Sequence, residues 1–232
     1  MDKRTLSEPS SQPVAKPVQV YLTQAEIMEQ GLPLAQGRFE RWRDRQEFHY
    51  PNFPMTHLRG ALGELAVEKW LTESRVDFIP YFRQPEVEGH KPDFILHLPQ
   101  SLFVGVEVKT WAERYWLDMG RCITPKQLFT LSETKSVDII LWVIMHEPEP
   151  FQSYTSQTPW SAIRTAFRTV GRVYFTLAGW NWLVEVDKWK LRETGPESGK
   201  ILNYQADLKD LHSIEILERL LRRWPGSLIR GS

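Results

Sequence analysis

Asp93, Glu107 and Lys109 are the residues of this chain whose types and spacing could do chemistry. They lie within KPDFILHLPQSLFVGVEVKT, residues 91–110, where two apolar runs are joined by Pro99-Gln100-Ser101. A three-residue link pairs residue 98 with 102, and the same register carries 93 to a place opposite 107. Directly opposed residues share a face, with Cβ atoms about 4.5–5.5 Å apart. Alternation adds Lys109 to that face and turns Val104, Val106 and Val108 to the other. Two facing carboxylates repel and need a cation. A divalent ion such as Mg²⁺ suits them, because it binds through one or two carboxylates together with waters and phosphate oxygens. A lysine beside them can orient an attacking water and steady charge developing on a phosphate. The chemistry would be metal-assisted phosphodiester hydrolysis. A solvated strand face, with Asp93 a turn residue after Pro92, would carry the same charges. Phe103, Gly105 and Trp111 on that strand make a poor composition for a wet face.

The elements that must position these residues can be read on either side. Residues 57–73 read as a helix capped by Thr56, with Leu58, Ala61, Leu62, Leu65 and Ala66 on one stripe and Glu64 beside it. Residues 76–83, 92–98 and 102–111 read as strands. Thr124-Pro125 opens a helix through about Lys135. Residues 137–145 (VDIILWVIM) then read as a buried strand, and 147–160 as a loop. A β-rich segment follows at 172–186. The last helix runs over Leu211, Ile214, Leu217, Leu221 and Trp224, and carries Arg219, Arg222 and Arg223. Upstream, Thr23-Gln-Ala-Glu26 is a capping box opening a short helix that Gly31 can close, and 35–48 reads as an arginine-rich helix.

The order and spacing of these pieces resemble the PD-(D/E)XK nuclease superfamily, the restriction-endonuclease-like fold. The residues that carry the resemblance are Pro92-Asp93, Glu107-Val108-Lys109, Gly63-Glu64-Leu65-Ala66 on the first helix and Thr124-Pro125-Lys126-Gln127 on the helix after the motif. The resemblance covers about residues 57–145. It implies that Asp93 and Glu107 bind metal, that Glu64 joins them, that Lys109 assists the attacking water, and that Gln127 lies near the active centre. It implies Mg²⁺, with Mn²⁺ as a substitute, and a nucleic-acid substrate, DNA ahead of RNA. The fold class expected is α/β, a mixed sheet flanked by helices. Residues 1–18 are expected as a disordered tail and 19–55 as a helical extension. Residues 56–190 are expected as the nuclease core, and 191–232 as a β/α extension packing on it.

Composition sets the limits. Lys plus Arg equals Asp plus Glu at 29 each, so no overall positive field gathers nucleic acid. Recognition is therefore expected from a homodimer or a partner subunit. A non-cleaving or partner-dependent binding subunit on the same fold is the alternative. One cysteine, Cys122, excludes an internal disulfide framework and a multi-Cys zinc site. The six histidines show no HxxH or HExxH spacing, and there is no GxxxxGK[ST] phosphate loop. No run of 18 apolar residues and no signal-type h-region occurs, so a cytoplasmic protein without a membrane segment is expected. His97 should face as Asp93 does. Arg114, Tyr115 and Trp116 are placed to touch a substrate strand, or to pack. Arg38, Arg41, Arg43 and Arg45 read as a solvated face salted with Glu40, Asp44 and Glu47, or as phosphate contacts.

Overall fold

The computed structural model describes residues 17–42, 53–84, 91–98, 102–155, 157–194 and 200–223. Residues 1–16 of the expected tail, Arg43 and Arg45, the link 99–101 and Trp224 lie outside the described residues.

The chain enters through β1 (Val18–Thr23) and α1 (Gln24–Glu26). A π-helical turn, Ile27–Gly31, leads into α2 (Leu32–Trp42). Then come α3 (Pro54–Glu73), β2 (Asp77–Pro80), β3 (Phe94–Leu98), β4 (Leu102–Ala112), α4 (Glu113–Trp116) and β5 (Cys122–Ile123). Next are α5 (Pro125–Thr134), β6 (Ile139–His146), α6 (Glu149–Gln152), α7 (Trp160–Phe167) and β7 (Arg172–Trp182). The hairpin β8 (Lys190–Thr194) and β9 (Ile201–Gln205) precedes α8 (Ile214–Arg223).

Six strands form one mixed sheet in the order β1-β7-β6-β4-β3-β2. All its neighbours are antiparallel except β4 and β6, which run parallel with α5 between them in sequence. A second sheet, β5-β9-β8, draws on both the expected core and the expected C-terminal extension. The class is α/β, a mixed sheet flanked by helices.

β6 explains why the sheet is buried on both faces. Ile139, Leu141, Val143 and Met145 enter one core, with α3, Val104, Val106 and Val108. Ile140 and Trp142 enter the other, with Leu131, Val186 and Trp189. A strand apolar on both sides belongs in the middle of a sheet.

The N-terminal segment departs from expectation. Residues 18–23 (VQVYLT) pair with β7 as an edge strand instead of opening a helical extension. The capping box is present, with Glu26 N donating to Thr23 Oγ1 at 3.3 Å and Thr23 N to Glu26 Oε2 at 2.6 Å. Gly31 does not end the helix. The chain widens through the π turn and continues, which accommodates Pro33, a residue with no N–H to donate. Likewise α3 begins at Pro54, ahead of Thr56, because a proline's missing N–H is harmless in a first turn. The loop expected over 147–160 contains α6, and α7 follows it. Among the described residues, no helix is long and apolar enough to cross a membrane.

Candidate functional site

The hairpin register is the one the link requires: Leu98 faces Leu102, and the ladder runs back to Phe94 opposite Val106. There β3 ends, because Pro92 has no N–H to continue the pairing. β4 runs on through Ala112, so from Glu107 onward its β3 side has no strand partner among the described residues. Asp93, the next residue back, turns its carboxylate to this open edge, where Val108 N donates to Oδ2 at 2.7 Å.

Around this gap the structure gathers charge. Glu107 and Lys109 lie in register with Ile140 and Trp142, on the face that carries the second core. Lys109 Nζ donates to Glu107 Oε1 at 2.5 Å. Glu64 comes from α3, which packs on the other face. Gly63 makes that approach possible: a Cβ there would lie 1.8 Å from Thr110 Oγ1, so only glycine lets α3 lie this close to β4. Gly105 plays the equivalent part upstream, where a Cβ would lie 1.8 Å from the Ser136 carbonyl oxygen. Glu64 and Glu107 are buried, 5% and 6% exposed.

Arg38 completes the cluster. Nη1 donates to Glu64 Oε1 at 2.8 Å, Nη2 to Oε2 at 2.5 Å, and Nη2 also to the Phe82 carbonyl at 3.3 Å. Arg38 therefore does not belong to a solvated face. It follows Ala35 by three residues on the buried side of α2, a position that helical spacing marks as inward.

Burial pushes the Asp93 carboxyl well above its usual range, and the charges of Glu64 and Glu107 push it further against Arg38 and the Val108 N–H. Burial also raises Glu64, with Arg38 opposing. For Lys109, burial alone would lower the pKa, but Glu107, Asp93 and Glu64 together raise it. Each group feels the others, so the five residues form one electrostatic unit.

The donor set is all oxygen, buried and rich in like charge, which fits a hard divalent cation. Asp93 and Glu107 would be the carboxylates to offer such an ion oxygens, with waters completing its shell. The set is not a ready three-acid cage: among the described residues no group of three His, Cys, Asp or Glu is gathered to hold a metal. Glu64 has both oxygens on Arg38.

Gln127 is not brought to this cluster. It is exposed at the third position of α5, where Gln127 N donates to Thr124 Oγ1 at 3.1 Å and Thr124 N to Gln127 Oε1 at 3.4 Å. The residue serves its own helix terminus as the second half of a capping box.

The weaker candidates resolve similarly. His97 Nδ1 lies 2.9 Å from Asp77 Oδ2, and its ring meets Phe103 edge-on at 5.0 Å. Cys122 is buried and its thiol is pushed up to about 11 by that burial, which makes it a poor nucleophile. Trp116 packs in the second core under Arg121, whereas Arg114 is exposed beside Tyr115.

Comparison of the chain with protein-family models, with curated proteins and with solved structures gives no match in any of the three.

Proposed function

We propose that the protein is a metal-dependent nuclease that hydrolyses phosphodiester bonds in DNA, on a restriction-endonuclease-like version of this α/β fold. The observation that carries this reading is the Asp93–Glu107–Lys109 constellation at the gap where β4 outruns β3. Buried like charges cost stability, and groups with strongly shifted pKa values concentrate where chemistry is done.

Asp93 and Glu107 would hold Mg²⁺ or Mn²⁺, with Glu64 next to them. When bound, such an ion supplies charge neutralisation for the acids, polarisation of the phosphate and activation of water. The Val108 N–H fixes the Asp93 carboxylate, and Glu107 fixes the Lys109 ammonium. Lys109, kept charged by the acids around it, can orient the attacking water and meet negative charge as it develops on the phosphate. The zero net charge leaves recognition of the duplex to a second copy or a partner subunit.

The test is incubation of the EDTA-stripped protein with Mg²⁺ or Mn²⁺ and plasmid, linear, single-stranded and branched DNA, with RNA as a parallel arm. Cleavage is expected to fall by at least about 10²-fold in Lys109→Ala and in Asp93→Ala, with circular dichroism unchanged. Equal activity in those variants would remove the site assignment. Binding without cleavage of any substrate would replace a self-sufficient enzyme by a partner-dependent, nucleic-acid-binding subunit.

A further inference from the structure

Arg38 lies outside the segment that resembles a nuclease, yet it is the cation most closely built into the acidic cluster. Its guanidinium grips both oxygens of Glu64 in a fork and is anchored a third time on the Phe82 carbonyl. A fork of this kind fixes the plane of the carboxylate as well as its position. Arg38 is largely buried, with its side chain 18% exposed, so water screens its charge poorly. Its field reaches past Glu64 to Asp93 and Glu107.

We propose that Arg38 is a positioning residue of the metal site, an internal cation that opposes divalent loading at Asp93 and Glu107 and holds Glu64 out of the ligand set. This rests on the nuclease reading. The physical basis is the charge count at the gap. Asp93, Glu107 and Glu64 carry three negative charges when ionised, and Arg38 and Lys109 return two positive ones. Lys109 is committed to Glu107 by a direct bond. Arg38 is the adjustable member, because removing it or its partner changes the field at Asp93 and Glu107 in opposite directions. Without Arg38, Glu64 adds an unopposed negative charge and a free ligand. Without Glu64, the guanidinium stands unopposed beside the two acids and repels a dication.

Isothermal titration of Mn²⁺ into the EDTA-stripped full chain at pH 8 tests this. Arg38→Gln is expected to tighten Mn²⁺ binding about tenfold, and Glu64→Gln to weaken it about tenfold. The double variant, with both charges gone, is expected within about threefold of the parent. Arg38→Lys keeps the charge and is also expected near the parent, and if Arg38→Gln does not fold the tenfold weakening expected of Glu64→Gln carries the test. A purely structural pair would leave all affinities equal in folded protein, and that result overturns the proposal. So does weaker binding by a folded Arg38→Gln. If the parent binds Mn²⁺ and Asp93→Ala abolishes it while the Arg38 and Glu64 variants change nothing, only this inference falls. If the parent takes up no Mn²⁺, the nuclease reading falls with it.

Discussion

Lys109 and Trp142 are partners across the parallel β4–β6 pairing, and each belongs to a different kind of buried polar centre. Trp142 Nε1 donates to Asn181 Oδ1 at 2.8 Å, and Asn181 Nδ2 donates to the Asp210 carbonyl at 2.8 Å. Glu185 accepts from Trp182 N at 3.0 Å and lies 3.0 Å from His212 Nε2. Every donor there meets an acceptor, and the network ties β7 to the segment leading into α8. At Lys109 the rule is reversed. Three acids crowd two cations, and burial and mutual repulsion hold the Asp93 carboxyl far above its normal range. One centre has satisfied its groups in pairs and serves the fold. The other retains a conflict that a ligand could relieve.

Substitutions should separate the two. The largest change in stability is expected from Asn181→Ala, which leaves the buried Trp142 N–H without its acceptor. The cost should be roughly 2 kcal/mol, seen as a fall of roughly 4–8 °C in Tm, with cleavage per folded molecule unchanged. Asp93→Asn should move the other way. An amide oxygen can still accept from Val108 while the repelled charge is gone, so Tm in EDTA at pH 7 should rise by roughly 2–4 °C, about 1 kcal/mol, as cleavage is lost. A lower Tm would mean that Asp93 is held by attraction, and the contrast between the centres would collapse.

Gln127→Ala should cost only about 0.5–1 kcal/mol by urea titration, the usual scale of a capping contact, and leave cleavage intact. Cleavage loss comparable to that of Lys109→Ala would return Gln127 to the site. A separate, pH-dependent effect concerns His57, which burial and the nearby Arg38 and Arg41 charges hold down to about 4 from 6.5. A histidine depressed in the folded state stabilises above its unfolded pKa, and that stability is lost as pH falls from about 6.5 to about 4. The Tm of the parent should therefore decline more steeply across that window than that of His57→Gln.

The central hairpin was legible because its register is a parity. A slip of one residue would have turned three valines outward, so link length and alternation together determined where Glu107 and Lys109 would lie. The helix from Pro125 was equally legible, since Thr124-Pro125 is a local start signal. Gln127 shows the limit of such signals. The same four residues that resemble a post-motif helix are a capping box, and the contact made is the one within reach of its own backbone. Arg38 was only half legible: its spacing from Ala35 marks the inward side of α2, but its partner is 26 residues away, and an arginine among alternating charges looks solvated until another helix covers it. β1 is short, and VQVYLT becomes a strand only because β7 offers an edge at the other end of the chain. The second sheet likewise depends on two residues, Cys122 and Ile123, meeting a distant hairpin.

That β1–β7 edge has a consequence for the order of assembly. Val18 pairs with Leu177, so this edge can close only after nearly the whole sheet has been synthesised, and long-range pairing of this kind forms slowly. The clamp between Arg38 and Glu64 joins two helices that are consecutive in the chain and can dock as a local unit much sooner. Glu64 would thus acquire its counter-charge before β3 and β4 bring Asp93 and Glu107 beside it. The nascent protein would never need to bury three unopposed acids at once.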